Sequence, residues 1–384
     1  MPSAAIAEDQ HTESKQRRYY RPELDALRFF AFLCVFVLHA GDYLRINPAK
    51  HLTSTRALSI GADGVPVFFL LSAFLIAELL FREKDRTGSI HIRSFYVRRI
   101  LRIWPLYFSA FFGLALLNRF VPGTGTDSPY AWLAFTFLCG NWYIFHHGWI
   151  ASSVDPLWSI SIEEQFYLII PVLAALAGRR AVLVVSWVFL VTAYVAVLWY
   201  AIHPNAIAEW TNSLVQFQFF CVGTLIALSL RGKFLQLSAP VRIGGFGLGF
   251  LCWYEAAVLI AKTPPAPAQS LMTWLLTLAG TVLFFLCTLG ISSRHVPSWL
   301  SYCGKISYGL YIFHSLILFF AFTIVESSWV RSVTGSHLST RLLRGFGALV
   351  ALAVTLGLAH LSYVFFEGYF LRLKKRFTYV QTRD

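Results

Sequence analysis

The sequence predicts an all-α, polytopic membrane protein of about ten transmembrane helices plus one re-entrant or partial segment, and three observations predict it. Of its 384 residues, 57% are hydrophobic and 13% are charged, whereas soluble globular chains carry about a quarter charged residues. The mean hydropathy is +0.60. Apolar stretches of about 20 residues, the length needed to cross roughly 30 Å of hydrocarbon, recur along the whole chain.

Residues 1–20 are polar and read as a disordered cytoplasmic N-terminus. The apolar run Phe29–Leu38 follows Lys15, Arg17, Arg18 and Arg21, a pattern shared with signal peptides. No small-residue cleavage site follows His39, so the run reads as an uncleaved first helix at 24–44. Further spans are expected at 62–82, 97–119, 157–177, 181–202, 211–230, 242–261, 271–291, 305–325 and 345–367. The stretch 130–146 is short and is interrupted by Gly140 and Asn141.

Charge counting decides how that stretch is placed. With the N-terminus inside and 130–146 not crossing, 24 of the 32 Lys and Arg fall on the cytoplasmic side; if it crosses, they divide 16 and 16. Lys and Arg concentrate in cytoplasmic loops, so both termini are predicted to be cytoplasmic. Residues 130–146 are then a re-entrant element, which needs protein or a wet cavity around its broken backbone. A single transmembrane domain is expected over 21–371, followed by a basic cytoplasmic tail over 372–384, with the proline-rich Thr263–Ala268 as an exposed connector. No internal repeat or second soluble domain is visible.

The net charge of +13 belongs, in such a chain, to topology signalling and not to nucleic-acid binding. The six cysteines are scattered singly, without the spacing of a disulfide framework or a zinc site. The loop pair His146 and His147 is weak ground for a metal, and none is expected.

The first helix carries Asp25, Arg28, His39 and Asp42, although a charged residue near the bilayer centre costs about 2.5–3.5 kcal/mol. At about 100° per residue the four share an arc of roughly 100°, a stripe that must face the bundle interior or a cavity. His39 lies about 16 Å along the axis from Arg28. It reads either as a core histidine bonded to a neighbouring carbonyl or hydroxyl, or as a proton acceptor suited to neutral pH. Asp25 and Asp42 would orient or balance it, or be solvated near the helix ends.

The segment Ser94–Pro105 sets Arg98 and Arg102 on one helix face with Arg99 one step round. Three guanidiniums at a membrane edge can bind phosphates bidentately, or serve only topology and lipid headgroups. Asp155–Pro156 predicts a helix start, and Ser161 with Glu164 fits a capping box, which makes Glu164 structural and leaves Glu163 unexplained at the outer mouth of span four. His314 lies inside an apolar helix beside aromatics, where a hydrogen-bonded core role competes with a functional one.

Several segments together resemble the acyltransferase-3 family and cover most of the chain. RPELDALRFFAFLCVFVLHA resembles its opening Arg-to-His motif, here Arg28 and His39. GVPVFFLLSAFLI resembles its second-helix signature, FYVRRILRIWP its Arg-x-x-Arg motif at Arg99 and Arg102, and PLWSISIEEQFYL and ISYGLYIFH its later motifs, implicating Glu163 and His314. Ala73 stands where a glycine is usual, and Gly368 follows Glu367 where a proline is common.

The resemblance implies an integral membrane O-acyltransferase of the bacterial cytoplasmic membrane. It would move an acyl group, acetyl first, from cytoplasmic acyl-CoA to a hydroxyl of a glycan, a lipid-linked sugar or a secreted small molecule. Arg99 and Arg102, with Arg98, would hold the coenzyme A phosphates. His39 would act as general base or transient acyl carrier, and Arg28 would stabilise an oxyanion or a donor phosphate. A transporter or flippase whose polar stripe lines a permeation path is the rival reading, and a binding or sensory protein without catalysis is a third. Dependence on acyl-CoA separates them.

Overall fold

The computed structural model describes residues 19–44, 59–233, 235–260, 267–334 and 340–380. The N-terminal tail expected over 1–20 lies outside them up to residue 18, as does most of the proline-rich connector. Among the described residues there is no strand. The helices are α1 (Pro22–Leu44), α2 (Gly64–Thr87), α3 (Ile92–Asn118), α4 (Pro129–Thr136), α5 (Gly140–His147), α6 (Trp158–Leu176), α7 (Gly178–Ile202), α8 (Ala206–Thr211), α9 (Ser213–Leu230), α10 (Ala239–Ile260), α11 (Pro267–Thr288), α12 (Ser298–Lys305), α13 (Ser307–Val325), α14 (Ser328–Thr334), α15 (Thr340–Leu361) and α16 (Gly368–Lys375). A π-helical turn, Ser362–Glu367, joins α15 to α16.

Nine helices among the described residues are long and apolar enough to cross a membrane. The stretch expected at 242–261 is a 22-residue helix, α10, packed along α11 and outside those nine. Helix α2 forms the centre of the bundle, with Leu70, Leu71, Ala73 and Phe74 buried. Helix α7 instead presents Leu183, Val184, Trp187 and Val191 outward, the arrangement a lipid-facing helix requires.

Helix α1 packs against α2, α12 and α13. Small residues permit the close approach: a Cβ on Gly304 of α12 would overlap the Asp25 carbonyl, and one on Gly64 would overlap that of Ala31.

The stretch 130–146 is broken as its Gly140–Asn141 pair suggests, into α4 and α5 of eight residues each. At 1.5 Å per residue each helix covers about 12 Å, far short of a crossing. Leu138 at the break adopts φ 57°. The freed backbone groups find partners: Tyr107 Oη donates to the Phe135 carbonyl at 2.8 Å, and the Gly140 N–H donates to Ser161 Oγ at 3.1 Å. Asn141 bonds Ser213 and Thr211 and accepts from Gln165. That network ties the segment to α6 and α9.

The Ser161–Glu164 capping box is not formed. Helix α6 begins at Trp158, behind a short 3₁₀ turn at Asp155–Leu157, so both residues lie inside it, with Ser161 held by Gly140 and Glu164 by Trp104 Nε1 at 3.2 Å. Asp155 caps the preceding loop, accepting from the N–H groups of Ile150, Ala151 and Ser152. The local pattern was overridden by partners distant in sequence.

Candidate functional site

A cavity of about 240 Å³ opens between α1, α2, α3, α6 and α13. Arg28 and Asp25 reach it from α1, Arg98, Arg99 and Arg102 from α3, Glu163 from α6 and Lys374 from α16. The structure thus gathers six of the predicted site residues, Asp25, Arg28, Arg98, Arg99, Arg102 and Glu163, around one space.

Their partners differ. Arg28 Nη1 donates to Asp25 Oδ1 at 2.7 Å, an i,i+3 pair on one helix face. Arg98 is held by Glu83 at 2.8 Å and by the Phe377 carbonyl at 2.7 Å. Arg102 lies 3.6 Å from Glu367, across the bundle, and over the Tyr308 ring. Arg99 packs its guanidinium against the rings of Phe95 and Tyr167, at 5.6 and 5.5 Å from their centroids. It makes no ion pair among the described residues, and its buried Nε has no hydrogen-bond partner there. A planar fork of donors without a carboxylate is suited to a phosphate.

Glu163 is fixed through one oxygen. Ser72 Oγ donates to Oε1 at 2.5 Å, and Tyr167 Oη donates to the same atom. Tyr167 follows Glu163 by four residues on α6, hence on the same face. Ser72 comes from the middle of α2. Glu163 therefore lines the arginine cavity from within the bundle, which corrects its expected place at the outer mouth of span four.

His39 and His314 do not line this cavity. They form a pair of their own, with His314 Nε2 3.1 Å from His39 Nδ1. His314 is fully buried, and its Nδ1 lies 2.6 Å from the Tyr311 carbonyl. A carbonyl can only accept, so the neutral ring carries its hydrogen on Nδ1 and Nε2 is bare. His39 Nδ1 is then the donor, shared between that nitrogen and the Val35 carbonyl at 3.0 Å. The hydrogen-bond partners thereby assign a bare Nε2 to His39.

Tyr311 stands between the two groups. Its side chain lines the cavity, packs on Phe68, and donates toward Pro156 O at 3.0 Å beside Ser159 Oγ at 2.7 Å. Its carbonyl holds His314. Asp42 is exposed in the last turn of α1, the solvated alternative expected near a helix end, while Gly41 is buried and Tyr43 stacks on Phe322.

Ser72, Tyr167, Tyr311 and Glu367 join the site without being among the residues the sequence predicts for it. Tyr167 was open to detection by its i,i+4 spacing from Glu163. Ser72 lies within the quoted GVPVFFLLSAFLI segment, but only tertiary packing brings it against Glu163, as it brings Glu367 to Arg102.

The family model for an acyltransferase domain, acyltransferase-3, matches residues 21–360. The chain is 26% identical over 346 residues to the "Putative O-acetyltransferase SACOL0978" of Staphylococcus aureus (strain COL), covering 80% of this chain and 52% of that protein. It is 25% identical over 376 residues to the "Putative peptidoglycan O-acetyltransferase YrhL" of Bacillus subtilis (strain 168), covering 92% and 55%. It is 30% identical over 173 residues to the "Peptidoglycan O-acetyltransferase OatA" of Listeria monocytogenes, covering 41% and 25%. The chain spans about half the length of the first two relatives and a quarter of the third. No solved structure matches it.

Proposed function

The chain belongs to the acyltransferase-3 family, and from that premise we propose that it transfers an acyl group, acetyl first, from cytoplasmic acyl-CoA to a hydroxyl on a glycan, lipid-linked sugar or secreted small molecule. The observation that carries this reading is the arginine cavity, above all Arg99, whose guanidinium has no carboxylate partner among the described residues. The names of the Listeria and Bacillus relatives favour a cell-wall glycan as acceptor.

In this reading the arginine end of the bundle faces the cytoplasm. Arg99 and Arg102 bind the donor's phosphates, with Arg98 in support, and the thioester arm enters the cavity beside Arg28 and Glu163. Arg28, steadied by Asp25, binds a donor phosphate, because it lies about 16 Å along α1 from His39 and so far from the carbon that the acceptor attacks. The acceptor approaches from the opposite side, where His39 is partly exposed. Its hydroxyl proton passes to the bare Nε2 of His39, its oxygen attacks the acyl carbon, and the C–S bond breaks to release the thiolate. The acyl group must pass Tyr311, which makes that side chain a barrier between the two substrates.

Reconstitution in liposomes tests the donor directly. With acetyl-labelled acetyl-CoA on the arginine side, label is expected in an alkali-labile ester; transport of an intact substrate without ester formation would replace this reading by the transporter. Arg102→Lys retains the charge but loses the planar fork, so donor KM is expected to rise about tenfold with kcat little changed. An unchanged KM would reduce Arg102 to a topology signal. His314→Phe removes one of the two acceptors of the His39 Nδ1 hydrogen and leaves only the Val35 carbonyl to hold the ring. It is expected to lower kcat about tenfold while leaving donor KM unchanged, and equal loss in both would mark a packing role.

A further inference from the structure

A second cavity, of about 290 Å³, lies where the C-terminal ends of α2 and α9 meet the start of α7. Four arginines line it, Arg82, Arg86, Arg179 and Arg231, against two carboxylates, Glu78 and Asp85. Both carboxylates are already engaged. Arg82 Nε donates to Glu78 at 2.7 Å, and Arg179 Nη2 donates to Asp85 at 2.6 Å. The guanidiniums of Arg86 and Arg231 take part in no ion pair among the described residues. The cavity therefore holds two cations without counter-charge.

Arg231 is placed there at a cost. It adopts the left-handed conformation, φ 46° and ψ 44°, at the end of α9, which strains an L side chain and is the position glycine usually takes. The following residue, Gly232, is also left-handed at φ 77°. The apolar part of the wall is Phe81, Ala227 and Leu228. Beyond Arg179 the outer face of α7 continues into Leu183, Val184 and Trp187, all exposed. A basic recess that runs onto an apolar, lipid-facing helix matches a molecule with a phosphate head and a hydrocarbon body.

We propose that this recess binds a phosphate ester, supplied by an anionic glycerophospholipid whose headgroup sits between Arg86 and Arg231 and whose chains lie along α7. The site is separate from the donor cavity. The partition is Arg82, whose guanidinium stacks over the ring of Tyr19 at 4.4 Å, while Tyr19 lines the donor cavity on its other side. Guanidinium–phosphodiester pairing supplies the headgroup recognition.

The full chain, purified in an uncharged detergent, serves for the test, with thermal unfolding as the readout. Phosphatidylglycerol, phosphatidylcholine and inorganic phosphate are each added alone, and phosphate is also added against phosphatidylglycerol. Phosphatidylglycerol is expected to raise Tm in a saturable manner and phosphatidylcholine to leave it unchanged, with apparent affinity about 10- to 30-fold weaker in R86A/R231A. R93A/R376A removes two exposed arginines outside the recess and is expected to keep the full shift, which separates the site from bulk charge.

Arg231→Gly relieves the backbone strain, so its lipid-free Tm is expected to equal or exceed that of the unsubstituted protein while the lipid-dependent shift shrinks. That combination excludes misfolding as the cause. An equal shift in R86A/R231A, or an equal response to the two lipids, overturns the proposal. A full shift with inorganic phosphate alone keeps the phosphate site and overturns the lipid as its source.

Discussion

His39→Ala is expected to lower kcat for acyl transfer by about 10²- to 10⁴-fold, the range for loss of a general base, with expression and the melting temperature close to those of the unsubstituted protein. Removing the imidazole takes away the bare Nε2 and leaves His314 Nε2 without its donor. The neighbouring space is aromatic, with Phe32 against His314 at 6.0 Å between centroids, so the packing around His314 survives. Donor KM is expected to stay within about twofold, because the arginine cavity does not include His39. Full activity in this variant would refute the assignment of the base, and a collapse of expression would point to a core role for the pair.

Glu163→Gln is the second large effect. The amide keeps an oxygen able to accept from Ser72 and Tyr167, so the clamp on Oε1 is retained and only the negative charge is lost. With Arg28, Arg99 and Arg102 lining the same cavity, that charge balances the site when the donor is absent and orients the guanidiniums when it binds. A loss of about 10²-fold in kcat/KM is expected, close to 3 kcal/mol. Ser72→Ala removes one of two donors to Glu163 and is expected to cost only about 1 kcal/mol of transition-state stabilisation. If both variants retain full kcat/KM, Glu163 is a structural residue of α6 and the site reduces to the arginines and the histidine pair.

The apolar runs announced the spans because the hydrocarbon demands unbroken lengths, and the observed helices follow them closely. The expected spans 62–82 and 305–325 are the helical stretches Ile60–Thr87 and Ser307–Val325. The break at 130–146 was legible in Gly140 and Asn141, whereas its placement as a non-crossing segment rested on the distribution of Lys and Arg. Helical angle alone set Arg28 and His39 on one face, but it carries no information about neighbours along the axis. The same stripe therefore serves two places, Arg28 in the donor cavity and His39 against His314. The capping-box reading of Ser161 and Glu164 failed for a related reason: a local pattern cannot reveal that Gly140 and Trp104 compete for the same side chains. The Arg102–Glu367 pair spans most of the chain and only the packed bundle brings it together.

The account's central claim is ester formation that depends on His39, and mass spectrometry of O-acyl esters on surface glycans and secreted metabolites tests it most directly. A strain lacking the protein is compared with strains restored by the natural sequence or by His39→Ala. The account predicts that one ester disappears on deletion, returns with the natural sequence and stays absent with His39→Ala. An ester profile unchanged by deletion, in a strain that makes the acceptor, would contradict it.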